Sequence, residues 1–323
     1  MAKTSALRGG IDLGGTKIEA IVVDAGNQVL GSARHPTPTS GTPADVANEM
    51  AQAMQEAAQA AGTTTAALAG VGVGSPGSVD SAAGRVASAR NLPGWDGSFA
   101  LGPKLAKQLG SRVAIGNDVQ VATRAEYELG AGRPYASVLG LFWGTGIGGG
   151  LILDRKPWRG RGGAGEIGHM VIKRGGRRCP CGNDGCVEAY AGRAAMESHA
   201  RNEIEKGRKS DLLKIMERKQ RRNFTSAVWA DAIERGDALA GELIDGAVAA
   251  LGAGAASAVN LLDVKAVVIG GGLGVRFGTP YVERIRTAMT EHLFPGHEMP
   301  DVHLVGLGDL GGALGAALLV TDG

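Results

Sequence analysis

Two parts of this 323-residue chain repeat one pattern: an apolar strand, a glycine turn that carries a threonine, and a second strand. The first turn, Asp12-Leu13-Gly14-Gly15-Thr16-Lys17, lies between strands predicted at residues 7–12 and 18–23. The second, residues 144–150, follows a strand predicted at 138–143 and leads into another extended stretch. A strand after each turn makes it a hairpin and not a strand-to-helix loop. The repetition predicts two lobes of related α/β design.

Glycine turns of this kind allow backbone N–H groups to approach phosphate oxygens, and a threonine adds its hydroxyl. The carboxylate before the first turn can hold a metal through water, and the lysine after it suits either phosphate contact or solvent. An ordinary hairpin turn is the alternative for each segment alone, and the repetition favours phosphate binding. The candidate residues are Asp12, Gly14, Gly15, Thr16, Lys17, Gly144, Thr145 and Gly146.

Residues 144–149 also match G-x-G-x-x-G, the fingerprint of dinucleotide-binding folds. That interpretation requires a helix directly after the turn. A strand is predicted there instead, so the sequence argues against a nicotinamide-dependent dehydrogenase.

All three cysteines, Cys179, Cys181 and Cys186, lie within eight residues, and His169 stands ten residues before the first of them. Three thiolates and one imidazole form the closed tetrahedral ligand set of a structural zinc. A disulfide would leave one cysteine over, and Cys179 and Cys181 are too close in sequence for easy bridging. The pattern therefore predicts a structural Zn²⁺ site.

Two carboxylates, Glu166 and Glu188, flank this cluster. Zinc prefers sulfur and nitrogen ligands once three thiolates are present. We therefore interpret both acids as acceptors for the hydroxyl groups of a polyol. His169 has two ring nitrogens, so one can bind zinc while the other faces a ligand.

Three further segments carry candidate site residues, and each has a simpler alternative. The turn at 75–80 contains Gly77, and the loop at 91–95 contains Asn91, which either binds a sugar hydroxyl or belongs to a surface loop with Trp95 as a packing lid. Asn117-Asp118 follows a predicted strand, where a general base is expected in an α/β crevice. Both residue types also cap helices well, and local evidence alone favours the cap over the base.

A third glycine cluster, Gly270-Gly271-Gly272, ends the strand predicted at 264–269. A run of glycines lets a flat ligand such as an adenine ring lie against the backbone. The charged segment 208–222 is interpreted as a solvated helix or a mobile surface segment. Helices are predicted at residues 42–61, 99–109, 118–129, 192–207, 225–236, 238–262, 280–293 and 311–319.

Composition limits the partners of this chain. The net charge is +2 and aromatic residues make up 4%, which favours neither nucleic acid nor a membrane. The first eight residues show no secretory signal, and thiol metal ligands suit a reducing compartment, so we expect a cytoplasmic protein. The longest uncharged run, residues 246–262, is short for a bilayer span and predicts a buried core helix.

These motifs, in this order, resemble the ROK family of sugar kinases and repressors over nearly the whole chain. The resemblance implies the actin-like, ribonuclease-H-like α/β fold, with two lobes about a cleft and a structural zinc loop. It implies a small lobe of residues 1–116 plus about 306–323, and a large lobe of residues 117–305 that carries the zinc loop.

The resemblance also implies roles for individual residues. Asp118 matches the catalytic base, and the two hairpin turns match the phosphate loops for ATP and Mg²⁺, with Gly271 and Gly272 also at the nucleotide. The positions that match sugar contacts are Asn91, Asn117, Asp118, Glu166, His169 and Glu188, to which we add Gly77. The positions that match zinc ligands are His169, Cys179, Cys181 and Cys186.

The implied activity is that of an ATP-dependent hexose kinase, and the Asn-Leu-Pro-Gly-Trp loop is most similar to the bacterial glucokinase members. N-acetylmannosamine kinase, fructokinase, polyphosphate as donor and a sugar-sensing regulator without chemistry are the alternatives. Repressor members carry a DNA-binding segment before the first loop, which begins here at residue 12, so we expect no such segment. The family pattern further implies a homodimer or homotetramer. Gln120 departs from the family, which commonly has asparagine there.

Overall fold

The computed structural model describes residues 6–89 and 91–321. The strands are β1 (Arg8–Leu13), β2 (Lys17–Val23), β3 (Val29–Pro36), β4 (Val71–Ser75), β5 (Ser78–Asp80), β6 (Arg85–Ala87), β7 (Ser98–Phe99), β8 (Val113–Asn117), β9 (Val138–Trp143), β10 (Ile147–Leu153), β11 (Lys156–Pro157), β12 (Ala266–Gly270) and β13 (Asp301–Leu304). The α-helices are α1 (Pro43–Ala60), α2 (Leu101–Leu109), α3 (Asp118–Glu128), α4 (Val187–Ala191), α5 (Arg193–Glu205), α6 (Leu212–Arg218), α7 (Ser226–Glu234), α8 (Ala238–Leu262), α9 (Gly271–Thr290) and α10 (Gly311–Leu318).

The chain forms two compact units. Unit 1 comprises the described parts of Met1–Arg133, Arg159–Gly163 and Gly306–Gly323, and unit 2 comprises Pro134–Trp158 and Ala164–Val305. The expected boundary after residue 116 therefore lies after Arg133. The physical reason is that α3 packs against α10 and β4, which both belong to unit 1.

The main sheet of unit 1 has the strand order β3-β2-β1-β4-β8. β1 and β2 form the predicted antiparallel hairpin, and β1, β4 and β8 run parallel. A smaller sheet, β5-β6-β7, includes part of the segment predicted as a turn at 75–80. The main sheet is thus a glycine hairpin extended by two parallel strands.

Helix α10 packs directly on this sheet because small residues permit a close approach. A Cβ atom on Gly72 of β4 would overlap the carbonyl oxygen of Ala316, and one on Gly315 would overlap that of Val121. The glycine- and alanine-rich C-terminal helix is therefore fixed in place between β4 and α3.

The main sheet of unit 2 has the order β11-β10-β9-β12-β13, again an antiparallel hairpin extended by two parallel strands. The related design predicted from the two glycine turns is confirmed. Helix α9 begins at Gly271, earlier than the predicted start at residue 280, and is kinked at Gly278 (φ 65°). The charged segment 208–222 contains α6, whose Leu212 and Ile215 are buried.

Among residues 6–89 and 91–321, one helix, α8, is long and apolar enough to cross a membrane by length and composition alone. Within its most apolar stretch, 61% is buried inside the fold, and the helix packs against α9 and α4. It is a core helix of unit 2, as the sequence predicted.

A buried carboxylate in α3 holds the two ends of unit 1 where the chain leaves and re-enters it. Glu126 is 2% exposed. Its Oε2 accepts hydrogen bonds from the N–H groups of Ala131 (3.0 Å) and Gly306 (2.9 Å), and Oε1 accepts one from Leu307 (2.9 Å). Three backbone donors from two segments of the chain thus depend on one side chain.

We expect Glu126→Ala to destabilise the protein strongly, because it leaves three backbone N–H groups without their acceptor. Hydrogen bonds to charged groups contribute roughly 1.5–3 kcal/mol each, so the free energy of unfolding should fall by about 3 kcal/mol or more. Urea denaturation followed by circular dichroism measures this change.

Glu128→Ala is the matched control on the same helix. Glu128 Oε1 forms an i,i+4 ion pair with Arg124 Nε (2.7 Å). Such pairs contribute about 0.5 kcal/mol to stability. Equal losses in the two variants would contradict the assigned role of Glu126.

Candidate functional site

Two acidic candidates of unit 1 lie at one edge of its sheet. The register pairs Asp12 of β1 with Gly74 of β4, and Ser75 of β4 with Asn117 of β8. A Cβ on Gly74 would lie 3.5 Å from the Asp118 Cα atom and 3.7 Å from Asp12 Oδ1. The carboxyl ends of these parallel strands therefore bring Asp12 and Asp118 together, as expected for a site in an α/β fold.

Asn117 and Asp118 have different positions at the start of α3. Asn117 is the N-cap: its Oδ1 accepts hydrogen bonds from the N–H groups of Val119 and Gln120, each at 3.1 Å. Asp118 is the first helical residue, half-buried, with Oδ1 2.9 Å from the N–H of Val119. Asn117 is thus the cap, so the helix start does not depend on the Asp118 carboxylate.

Asp12 is held in a confined space at the end of β1. A Cβ on Gly312, in the first turn of α10, would overlap the Asp12 carboxylate, so glycine is needed there. Burial raises the pKa of Asp12 to about 6, an effect opposed by Lys17 and reinforced by Glu19. A divalent cation near this carboxylate would favour its ionised form.

The first glycine turn is fixed by a threonine that the sequence analysis did not select. The Thr37 hydroxyl donates to the Gly14 carbonyl (2.6 Å), and the Thr37 N–H donates to the Thr16 carbonyl (3.2 Å). A trans peptide points its N–H opposite to its C=O. The N–H of Gly15, in the peptide of the Gly14 carbonyl, therefore points away from Thr37.

Asn91, Gly77 and Trp95, the other residues of unit 1 that the sequence singled out, have different surroundings. Asn91 packs on the turn, since a Cβ on Gly15 would lie 3.0 Å from Asn91 Nδ2. Gly77 has φ 90° and lies close to the Ala87 carbonyl, so glycine is required. Trp95 is 3% exposed and donates to the Val86 carbonyl (3.1 Å), so it is a core residue.

Lys17 points toward acidic partners and not only toward solvent. Its Nζ lies 3.6 Å from Glu19 Oε2 and 3.5 Å from Asp309 Oδ2. Thr16, next to it in the turn, is exposed. The lysine charge is therefore balanced within unit 1, and the threonine hydroxyl is accessible.

The second glycine turn is fixed by the start of α5. The Gly144 carbonyl accepts a hydrogen bond from the N–H of Arg193 (3.1 Å), and the Thr145 carbonyl accepts one from Ala194 (3.0 Å). Both peptides are trans, so the N–H groups of Thr145 and Gly146 point away from α5. Two successive amides directed to the same side form an anion-binding arrangement.

Glu188 connects this turn to the cysteine-containing segment. Its Oε2 accepts a hydrogen bond from the N–H of Ile147 (2.8 Å), and a Cβ on Gly146 would overlap its carboxylate. The sequence analysis interpreted Glu188 as a hydroxyl acceptor alone. The structure shows that one of its two oxygens positions the turn.

The third glycine cluster lies beside the second turn. Gly270 is the N-cap of α9, and Gly271 has φ 80° with its Cα close to the Trp143 backbone. A Cβ on Gly144 would lie 4.0 Å from the Gly272 N atom, while one on Gly272 would meet nothing within 4 Å. The backbone at Gly272 therefore borders the turn and has open space beside it.

The four predicted metal ligands come together in unit 2. The ligand atoms of His169, Cys179, Cys181 and Cys186 all lie within 4.8 Å of one another. The Sγ atoms of Cys181 and Cys186 are 3.7 Å apart, and Cys179 Sγ is 3.7 Å from His169 Nδ1. Tetrahedral Zn–S bonds of about 2.3 Å place sulfur atoms about 3.8 Å apart, so the residues fit zinc.

The ring of His169 faces two ways. Nδ1 points to the cysteine cluster, and Nε2 lies 3.9 Å from Glu166 Oε2. Glu166 is exposed. Binding of a metal at Nδ1 would leave Nε2 as the protonated nitrogen, a hydrogen-bond donor on the side of Glu166.

Sequence reasoning missed two residues that position the turns, Thr37 and Arg193. Thr37 lies in the segment Thr37-Pro38-Thr39-Ser40-Gly41, where no spacing distinguishes it from its neighbours. Arg193 carried a usable signal, because a positive side chain in the first turn of a helix is electrostatically unfavourable. Such a local conflict often marks a functional position.

Comparison with known proteins gives consistent matches. The family model described as ROK family matches residues 8–323. The glucokinase of Thermotoga maritima is 30% identical over 97% of this chain and 96% of its own length. The N-acetylgalactosamine kinase AgaK of Shewanella sp. is 33% identical, with 96% of this chain and 95% of that protein covered.

A solved structure of a ROK family glucokinase from Streptomyces griseus, in complex with glucose and AMPPNP, matches with a TM-score of 0.82. It is 29% identical and covers 98% of this chain and 100% of its own. The α/β, actin-like fold class expected from the sequence is thereby confirmed.

We expect Asp12→Asn to be more stable than wild type above pH 6, because a buried ionised carboxylate is removed. The folded pKa of about 6 lies above the unfolded value, so wild-type stability rises as pH falls through that pKa. The difference in melting temperature should therefore be largest at pH 7.5 and shrink toward pH 5. Asp96→Asn, at an exposed residue of the same unit, should show no such trend. A pH-independent gain for Asp12→Asn would contradict the pKa shift.

We expect the purified protein to contain about one zinc per chain, and Cys181→Ser to lose it, because three ligands hold zinc weakly. Elemental analysis measures the metal, and the melting temperature with and without chelator measures its contribution to stability. The matched control is Asp184→Asn, which removes an exposed pair with Arg178 (3.2 Å) in the same loop and should keep zinc. Zinc-free wild-type protein with an unchanged melting temperature would contradict the site.

Proposed function

The chain belongs to the ROK family, and we propose that it is an ATP-dependent hexose kinase that phosphorylates the 6-hydroxyl group, with glucose as the leading substrate. The supporting relatives are the glucokinase and the N-acetylgalactosamine kinase described above, each matched over nearly its full length. Sugar phosphorylation is the activity that these proteins share by name.

One observation carries the proposal: the amides of Thr145 and Gly146 point away from α5 as an adjacent pair. Such a pair suits the phosphate oxygens of a nucleotide. The first turn repeats the arrangement with the Gly15 amide and the exposed Thr16 hydroxyl. Each unit thus supplies one phosphate-binding turn.

ATP is the proposed donor, because the Streptomyces griseus glucokinase was solved with AMPPNP, an analogue of ATP. The adenine ring is assigned to the open backbone at Gly272, next to Gly271. Mg²⁺, when bound with ATP, would neutralise phosphate charge, and Asp12 is the residue of this chain that would support it.

Asp118 is the proposed general base. Its carboxylate accepts the proton of the sugar hydroxyl as the hydroxyl oxygen forms a bond to the γ-phosphorus and the bond to the leaving ADP breaks. Asn117 already caps α3, so the carboxylate of Asp118 is not needed for the helix start. Its position beside Asp12, at the carboxyl end of the sheet, supports the role.

We assign the sugar contacts to the polar groups that the family resemblance implies. These are Asn91, Asn117, Glu166, His169, Glu188 and, by our own addition, the backbone at Gly77. Glu188 binds the Ile147 amide with one oxygen, which leaves the second for a hydroxyl. The ligand set His169, Cys179, Cys181 and Cys186 closes around zinc, so we assign the metal a structural role.

Glucose leads because the Thermotoga maritima and Streptomyces griseus relatives are glucokinases. The AgaK relative makes an N-acetylated hexose the second candidate, followed by fructose. Selectivity among hexoses depends on one or two hydroxyl contacts. A homo-oligomeric state and a cytoplasmic location stay predictions, which light scattering and cell fractionation can test.

The first experiment is a coupled assay of ADP release with Mg-ATP and a panel of glucose, mannose, fructose, N-acetylglucosamine, N-acetylgalactosamine and N-acetylmannosamine. Turnover on glucose confirms the proposed substrate. Turnover on an acetylated sugar alone changes the substrate and keeps the mechanism. Absence of turnover, with polyphosphate also failing as donor, would contradict the kinase and favour a sugar sensor.

Asp118→Asn tests the base. Loss of a general base lowers turnover by roughly 10²–10⁴-fold, while calorimetry should show sugar affinity nearly unchanged. The control is Glu128→Ala on the same helix, which removes the ion pair with Arg124 and should keep wild-type turnover. Wild-type turnover by Asp118→Asn would remove Asp118 from the role.

A further inference from the structure

The guanidinium of Arg193 lies against the second glycine turn without any carboxylate partner among the described residues. Its Nη2 donates to Thr145 Oγ1 at 2.7 Å, and its Nη1 donates to the Phe224 carbonyl at 3.1 Å. The residue is half-buried. None of the ion pairs formed within residues 6–89 and 91–321 includes it. A positive charge is therefore held at the turn without a direct ion pair, and Glu197 is the carboxylate that interacts with it at longer range.

This placement is unfavourable unless something negative binds there. Arg193 is the first residue of α5, where the helix dipole already presents positive potential. Partial burial lowers its pKa, an effect that Glu197 opposes. A guanidinium stays charged even so, and an anion at the turn would be attracted by both the side chain and the helix terminus.

The hydrogen bond from Arg193 to Thr145 Oγ1 also determines how the Thr145 hydroxyl group can use its proton. An arginine has donors only, so the threonine oxygen must act as acceptor in this contact. The Thr145 hydroxyl proton then has to be donated elsewhere, and the side chain is exposed. The hydroxyl thereby becomes a donor in the same turn as the Thr145 and Gly146 amides.

We propose that Arg193 is a positioning residue for the nucleotide: it holds the Thr145 hydroxyl as a donor to a phosphate oxygen of ATP and adds a positive charge beside it. The inference rests on the proposed function, since it takes the second turn as the phosphate site. It assigns to Arg193 an effect on the nucleotide and none on the sugar.

The test compares Arg193→Gln, Arg193→Lys, Thr145→Val and the double variant Arg193→Gln/Thr145→Val. Nucleotide affinity is measured by calorimetry with ATP and by KM, and sugar affinity is measured separately. A hydrogen bond to a charged group corresponds to roughly a ten-fold or larger change in affinity, so Arg193→Gln should raise the ATP dissociation constant about ten-fold. Arg193→Lys should recover part of the loss, because it keeps the charge without the planar fork.

The double variant distinguishes positioning from general damage. If Arg193 acts through Thr145, the double variant should bind ATP little worse than Arg193→Gln alone, since coupled residues are not additive. Additive losses, or equal losses in sugar and ATP affinity, would overturn the proposal.

Arg201→Gln is the matched control on the same helix. Arg201 donates to Glu197 (2.7 Å) and stacks over the ring of Phe224 (4.7 Å), so its loss disturbs the same surroundings without touching Thr145. It should lower the melting temperature and leave the ATP dissociation constant unchanged. An equal loss of ATP affinity in Arg201→Gln would show that Arg193 acts only through stability.

Failure of the inference and failure of the proposed function give different results. If wild-type protein neither binds ATP nor phosphorylates any sugar, the proposed function fails. If wild type and the Arg193 variants bind ATP equally well and phosphorylate sugar, only the role of Arg193 fails.

Discussion

The second glycine turn depends on hydrogen bonds that its backbone carbonyls make to the start of α5. A glycine turn has little conformational preference of its own, because glycine populates many backbone states. The donors of Arg193 and Ala194 select one of these states by binding the carbonyls of Gly144 and Thr145. The N–H groups of Thr145 and Gly146, on the opposite side of those peptides, then point in one fixed direction. The amide arrangement that we propose for phosphate binding follows from this single constraint.

The first glycine turn, in unit 1, is held in one conformation by different hydrogen-bond donors. There the Thr37 residue binds the turn carbonyls with its hydroxyl and its own amide. A single threonine in unit 1 thus replaces a helix terminus in unit 2. The unit 2 arrangement brings added positive potential, which the unit 1 arrangement lacks. The two turns are related in backbone design and unequal in electrostatics.

The cysteine-containing segment is connected to the second glycine turn by a short stretch of chain and by one side chain. Cys186 immediately precedes α4, Glu188 lies in its first turn, and α5 begins at Arg193. A metal that fixes Cys186 therefore restricts the carboxylate that binds the Ile147 amide. Structural zinc in this chain would stabilise both the segment around His169 and the second glycine turn. Order in a loop is provided by ligands where a hydrophobic core is lacking.

Much of this protein follows from the sequence alone. The paired hairpins predicted two related α/β units, and the spacing of His169, Cys179, Cys181 and Cys186 predicted a ligand cluster that the fold brings together. Both signals are local, since they depend on residues near one another in the chain. The extent of α8 was equally readable, because apolar residues recur along the whole helix and residues 246–262 carry no charge.

Tertiary structure decided what depends on partners far apart in the chain. The sequence left Asn117 and Asp118 as equal candidates for a helix cap, and only the backbone at β8 assigned the cap to Asn117. It placed the boundary of unit 1 after residue 116, whereas packing of α3 on α10 moved it past Arg133. The roles of Thr37, Glu126 and Arg193 rest on hydrogen bonds to groups that are distant in the chain. No periodicity or spacing encodes such bonds, because they form only once the strands and helices have packed.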